Sequence, residues 1–200
     1  MQVALPELDS AATINFHREI SVDDFEAFCA ENPSLRAELS AQGEITIMPP
    51  AGGDSSYQNA DLTMQLTAWA KADRRGKSFE SSVAFVLPSG AILSPDASWV
   101  SNQKVQPLSP AQRRRFLRLT PDLIVEVRSP SDRRPILELK MAEWIASGVP
   151  LAWLIDGEAK TVTIYRPTAP PQTLAGIQEL AADGLTEGFV LDLTDIWAGL

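Results

Sequence analysis

The sequence predicts an α/β domain built around a mixed β-sheet. Three observations carry that reading. Apolar runs with period-two alternation trade places with segments of helical spacing through the middle of the chain. Of the 200 residues, 44% are hydrophobic and 22% are charged, ordinary values for a globular domain. No apolar run approaches the roughly 18 residues that a membrane-spanning helix needs.

The elements follow in chain order. Residues 1–15 show no clear period and are expected to form a loose arm, leaving 16–200 as a single domain. Ser21 and Asp24 have the spacing of a capping box, Phe25 and Phe28 share a helical face, and Asn32-Pro33 stops the helix. Strands are expected at 35–40 and 44–48, on either side of Gly43. The stretch Pro49–Ser56 reads as a loop, and Leu62, Leu66 and Trp69 then mark a helix from Ser56 to about Arg74. Four short strands are expected near 77–81, 83–87, 91–93 and 96–100, with a turn at Pro88-Ser89-Gly90. An Arg-rich helix is expected over 109–119. Pro121 opens the apolar strand Asp122–Ser129, and a helix follows over 135–147, ended by Gly148. Two strands meet at the Asp156-Gly157 turn, Pro167–Pro171 interrupts the pattern, and short strands with a last turn of helix near 192–198 complete the chain.

Composition narrows the chemistry. One cysteine, Cys29, excludes an internal disulfide, and one histidine, His17, excludes a multi-His zinc site within the chain. The N-terminus lacks a basic start followed by an apolar run, so a cytoplasmic protein without a membrane partner is expected. The net charge is −9, unlike a generic nucleic-acid coat. It is uneven, however. Residues 101–140 hold nine basic and four acidic residues, a local +5. Within that stretch Arg113, Arg114, Arg115 and Arg118 form a candidate grip on a nucleic-acid backbone, with a plain solvated face as the alternative.

Glu126 draws attention because Val125 and Val127 flank it. An acid inside an apolar strand needs a cation, an ionic partner or an exposed edge. Asp122, at the strand mouth, reads as solvated. Asp96 lies on a neighbouring strand candidate and could meet Glu126 at one end of the sheet. With the Val127 carbonyl, the two acids would suit Mg²⁺ or Mn²⁺, which takes one or two carboxylates plus waters. Lys140, on the following helix, could fold back to supply a positive charge.

An ordered set of motifs then becomes recognisable. Ser94-Pro95-Asp96, Pro121-Asp122 through Glu126 to Asp132, Lys140 through Trp144, and Trp153 through Asp156 resemble the Uma-two family of endonucleases, within the PD-(D/E)XK nuclease superfamily. Gly43-Glu44, Met48-Pro49-Pro50, Gly52-Gly53 and Asn59 extend the likeness, which covers about residues 16–166. The resemblance implies a restriction-endonuclease-like core, a central mixed sheet flanked by helices. It implies Asp96 and Glu126 as metal-binding acids, and a lysine moved from the usual superfamily position, here Arg128, to Lys140. Glu44, Asn59 and Arg128 are possible additional site residues. Many family members carry a His near the start of the first long helix, where this chain has Ser55-Ser56-Tyr57. The function implied is metal-dependent hydrolysis of phosphodiesters in nucleic acid, DNA first. A homodimer is expected from that function alone, since two symmetric sites most simply supply the two scissions of a duplex. A non-catalytic interaction protein on the same fold is the alternative. A metal-free carboxylate pair acting on sugars is a third class, without a motif to fix it.

Overall fold

A computed structural model describes residues 11–15 and 20–200. The elements are β1 (Ala12–Asn15), α1 (Val22–Glu31), β2 (Arg36–Leu39), β3 (Glu44–Met48), α2 (Gly53–Asp73), β4 (Gly76–Glu80), β5 (Phe85–Val86), β6 (Ile92–Leu93), β7 (Ala97–Ser101), α3 (Asn102–Val105), β8 (Leu123–Arg128), α4 (Arg134–Ala146), β9 (Leu151–Asp156), β10 (Thr161–Arg166), β11 (Ala169–Ala175), β12 (Glu179–Ala181), β13 (Val190–Asp192) and α5 (Thr194–Ala198).

Two principal sheets organise these elements. The larger has the order β11-β10-β9-β8-β7-β4 and is mixed, because β8 and β9 run parallel while its other pairs are antiparallel. The β8–β9 pair needs a crossover, and α4 supplies it. Helix α2 covers one face of this sheet. Its Leu62, Leu66 and Ala70 join Trp99, Val125, Val127 and Trp153 in one apolar core. Helix α4 covers the other face, where Met141 and Trp144 pack with Phe85, Val100, Ile124 and Leu154. Strand parity therefore divides β8 between two cores, with Leu123, Val125 and Val127 toward α2 and Ile124 toward α4. The smaller sheet, β1-β3-β2-β6-β5, packs Leu39, Ile45 and Ile47 against Phe25 and Phe28 of α1. Strands β12 and β13 form a separate pair.

The expected mixed α/β architecture is present, with local differences. Ala12–Asn15, part of the expected arm, is strand β1 on β3; residues 1–10 and His17 lie outside the described set. The Arg-rich segment is not a helix over 109–119 but a single 3₁₀ turn at Gln112–Arg114. Arg113 explains part of this, since its guanidinium donates to the carbonyls of Leu108 and Gln106 and ties the segment back on itself. Pro170 and Pro171 do not end strand structure. They sit in β11, at the sheet edge, where the β10–β11 ladder is irregular between Ile164 and Arg166 and the missing N–H groups are tolerated. Asp122 is not solvated either. It is 3% exposed, accepts from the Ser101 N–H at 2.8 Å and pairs with Lys104 at 2.7 Å.

The two principal sheets meet where β6 of the small sheet continues through Ser94-Pro95-Asp96 into β7 of the large one. That seam lies at the C-terminal end of β8.

Candidate active site

The register at the seam brings the acids together. Ala97 pairs with Val125, which sets Asp96 opposite Glu126 across the β7–β8 ladder. Asp96 Oδ2 accepts from the Val127 backbone N–H at 2.8 Å, and Oδ1 accepts from Asn59 Nδ2 at 2.9 Å. Asp96 thus links β8 to the first turns of α2. Glu126 is 4% exposed. Its Oε1 accepts from Lys140 Nζ at 2.9 Å and from the Trp144 indole N–H at 3.1 Å. Lys140 and Trp144 are four apart on α4, so one helix face delivers both donors to one oxygen. This face of α4 is turned inward, with Trp144 fully buried, and Ile136 and Leu139 are exposed.

A third acid completes the cluster. Glu38 of β2 is 7% exposed and receives Lys140 Nζ at 2.8 Å and the Ser94 N–H at 2.9 Å. Lys140 also donates to the Ser94 carbonyl at 3.0 Å. Its three N–H donors therefore have three acceptors, and the ammonium is a fixed charge between two carboxylates. Sequence reasoning passed over Glu38. The readable signal was an acid beside Leu39 at the end of a short strand, the same kind of oddity that singled out Glu126.

Electrostatics follow from the packing. Burial pushes the Asp96 carboxyl upward, opposed by the Val127 N–H and the charges of Lys140 and Arg36. Burial likewise raises Glu126 from 4.5 to about 8, with Lys140 opposing and Asp96 and Glu38 adding to the rise. Burial alone would lower the Lys140 ammonium, but Glu126 and Glu38 outweigh it and hold it above its ordinary value. Three acids facing one fixed lysine leave the cluster short of positive charge.

Asp96, Glu126 and Lys140, but not Glu38, line a cleft of about 340 Å³, whose walls also include Arg36, Gly52, Gly53, Asn59, Ser94 and Val127. Gly52 is the N-cap of α2 and makes no side-chain cap, so the helix opens at the cleft rim with free amides. The donor set fits a hard divalent cation. Among the described residues no hydrogen bond reaches Glu126 Oε2, and Asn59 Oδ1 is buried without a partner beside Asp96. No group of three His, Cys, Asp or Glu side chains is arranged to hold a metal among the described residues. A pair of carboxylates suits Mg²⁺ or Mn²⁺, which keeps several waters, better than zinc.

The other sequence-selected residues fall elsewhere. Glu44 is exposed at the start of β3, four residues from the Met48 end that borders the cleft, about 13 Å along a strand. Arg128 turns from the cleft and pairs with Asp156 at 2.9 Å. Arg115 pairs with both Asp23 and Glu26 of α1, and Arg118 lies 3.9 Å from Asp23. Arg113, Arg114 and Arg115 border a different cleft, which shares no wall with the acidic one.

Comparison with known proteins follows the same line. The family model Uma2, described as "Putative restriction endonuclease", matches residues 22–194. The chain belongs to the Uma2 family. Among solved structures, a crystal structure titled a "putative nuclease belonging to DUF820" from Anabaena variabilis superposes with a TM-score of 0.71. It is 18% identical, and the match covers 90% of this chain and 98% of that one, which shows a shared fold. A search of curated proteins finds no match. Among the described residues of this Uma2 chain, no helix is long and apolar enough to cross a membrane.

Proposed function

We propose that this Uma2 protein is a divalent-metal-dependent endonuclease acting on nucleic acid, with DNA as its expected substrate. One observation carries the reading: Asp96 and Glu126, thirty residues apart in the chain, face each other at a sheet seam beside the buried ammonium of Lys140.

Asp96, Glu126 and the Val127 carbonyl would hold Mg²⁺ or Mn²⁺, which when bound supplies Lewis-acid polarisation of a phosphodiester and a more acidic water. The chain's own groups do the rest. Asn59 and the Val127 N–H fix the Asp96 carboxylate against rotation. Trp144 and Lys140 occupy Glu126 Oε1 and leave Oε2 toward the cleft. Glu38 and the Ser94 carbonyl fix the ammonium, whose positive field favours the extra negative charge that develops on a phosphoryl group under attack. Ser55-Ser56-Tyr57 stands where the family resemblance would place a histidine, so no role of such a histidine carries over to this chain.

The test is nicking or cutting of supercoiled plasmid in Mg²⁺ or Mn²⁺ by wild type, Asp96→Ala and Glu126→Ala. The reading expects cleavage by wild type, stopped by EDTA, and none by either variant. Equal activity in all three would end it. Two scissions of a duplex are met most simply by a homodimer, checked by light scattering during gel filtration.

A further inference from the structure

We propose that the nucleic-acid backbone flanking the cut site runs along a groove between α2 and the edge strand β4, held by Lys71, Arg74 and Lys77. The proposal rests on the nuclease reading and names where that substrate lies.

Asn59, Thr63, Thr67 and Lys71 are each four residues apart and form one stripe along α2, and Arg74, the left-handed C-cap, follows just past the end of the helix. Asn59 begins that stripe at Asp96. The acidic cleft shares Arg36, Ala51 and Asn59 with a second hollow of about 300 Å³. That hollow shares Thr63 and Glu80 with a third, of about 620 Å³, walled by Lys71, Arg74 and Lys77. The three hollows adjoin through these shared residues, in order from the acids to a basic end.

The groove has a built floor. Thr67 and Ser78 hydroxyls meet at 2.9 Å between helix and strand. Gly76 opens β4 where any Cβ would lie 2.3 Å from the Trp99 ring, so the strand packs tightly under the basic end. At 1.5 Å per residue, α2 spans roughly 18 Å from Asn59 to Lys71. A strand backbone lying along this length presents several phosphates to it, enough to meet the three cations.

Charge decides between the two basic surfaces. Lys71, Arg74 and Lys77 are exposed and have no carboxylate within ion-pair distance among the described residues, and the same holds for Arg36 at the junction. Arg115 and Arg118, by contrast, face the acids of α1. A polyanion approaching the acidic centre of a chain with net charge −9 needs unneutralised cations beside that centre, and the α2–β4 groove has them.

The test measures binding of a fluorescein-labelled DNA duplex of about twenty base pairs by anisotropy, in EDTA and across a salt series. An RNA duplex of the same sequence runs in parallel. The triple variant Lys71→Gln/Arg74→Gln/Lys77→Gln should lower the slope of log K against log salt by about 2.7, at roughly 0.9 per phosphate contact. At 0.15 M salt that is a loss on the order of a hundredfold in affinity. Arg114→Gln should bind as wild type, and the triple variant should keep wild-type Mn²⁺ binding. An unchanged slope in the triple variant, or a lowered one in Arg114→Gln, overturns the groove. Failure of wild type to bind either duplex overturns the groove, while plasmid cutting in Mg²⁺ decides the nuclease reading by itself. Groove-dependent binding without cleavage in Mg²⁺ supports the groove and ends the hydrolytic reading. Preference for the RNA duplex supports the groove with RNA as its occupant.

Discussion

Lys140→Met tests whether the lysine is what makes the two buried acids Glu38 and Glu126 tolerable. Methionine keeps most of the side-chain length and removes the ammonium. In wild type that ammonium bonds Glu38 at 2.8 Å, Glu126 at 2.9 Å and the Ser94 carbonyl at 3.0 Å. Glu38 is 7% exposed and Glu126 4%, so water cannot replace what is lost. Breaking a buried pair by removing one partner costs about 3–5 kcal/mol. The lower end applies, because burial already lifts Glu126 toward its neutral form and protonation relieves part of the penalty. About 3 kcal/mol corresponds to a fall of roughly 6–12 °C in Tm for a chain of this length. Thermal and urea unfolding in EDTA at pH 7 would measure it. Lys140→Met/Glu38→Gln should recover more than half of the loss, since one surplus charge has gone with its partner. A Lys140→Met protein within about 1 kcal/mol of wild type would refute the reasoning.

Other expectations follow from single contacts. Gly76→Ala should destabilise by about 1–3 kcal/mol or more, seen as a lower urea midpoint, because the new methyl meets both the Trp99 ring and the Val100 carbonyl. Asp122→Asn should cost about 2 kcal/mol by weakening the bonds to Lys104 and the Ser101 N–H, while calorimetric Mn²⁺ binding stays as in wild type. Burial, aided by Glu26, raises the Cys29 thiol to about 11. The thiolate is the reactive form, so alkylation by iodoacetamide should be slow at pH 7.5 and still climbing at pH 10, whereas an unperturbed thiol levels off earlier.

The large elements were readable because each obeys one period. Glu126 between two valines, and Lys140 and Trp144 four apart, already contained the β8–α4 half of the site. Asp96 was readable as an acid at a strand start, and antiparallel pairing then put it opposite Glu126. Glu38 was not, because its place depends on β2 pairing with β6 at Leu39 and Ile92, a long-range register that local periodicity does not contain. Glu44 shows the converse: an acid close in sequence to the Met48-Pro49-Pro50 cleft wall, yet at the far end of its strand. The 109–119 segment misled because arginines favour helix in isolation, while here their side chains bond backbone carbonyls and the acids of α1. The α2 stripe from Asn59 to Lys71 is visible in the sequence, but its significance appears only once β4 lies beside it.

The most direct measurement is anomalous scattering from crystals soaked in Mn²⁺, for wild type and Glu126→Gln. The account predicts one strong peak between Asp96 and Glu126 in wild type and its loss in the variant. A wild-type map empty at that position under saturating Mn²⁺, or an undiminished peak in Glu126→Gln, would contradict it.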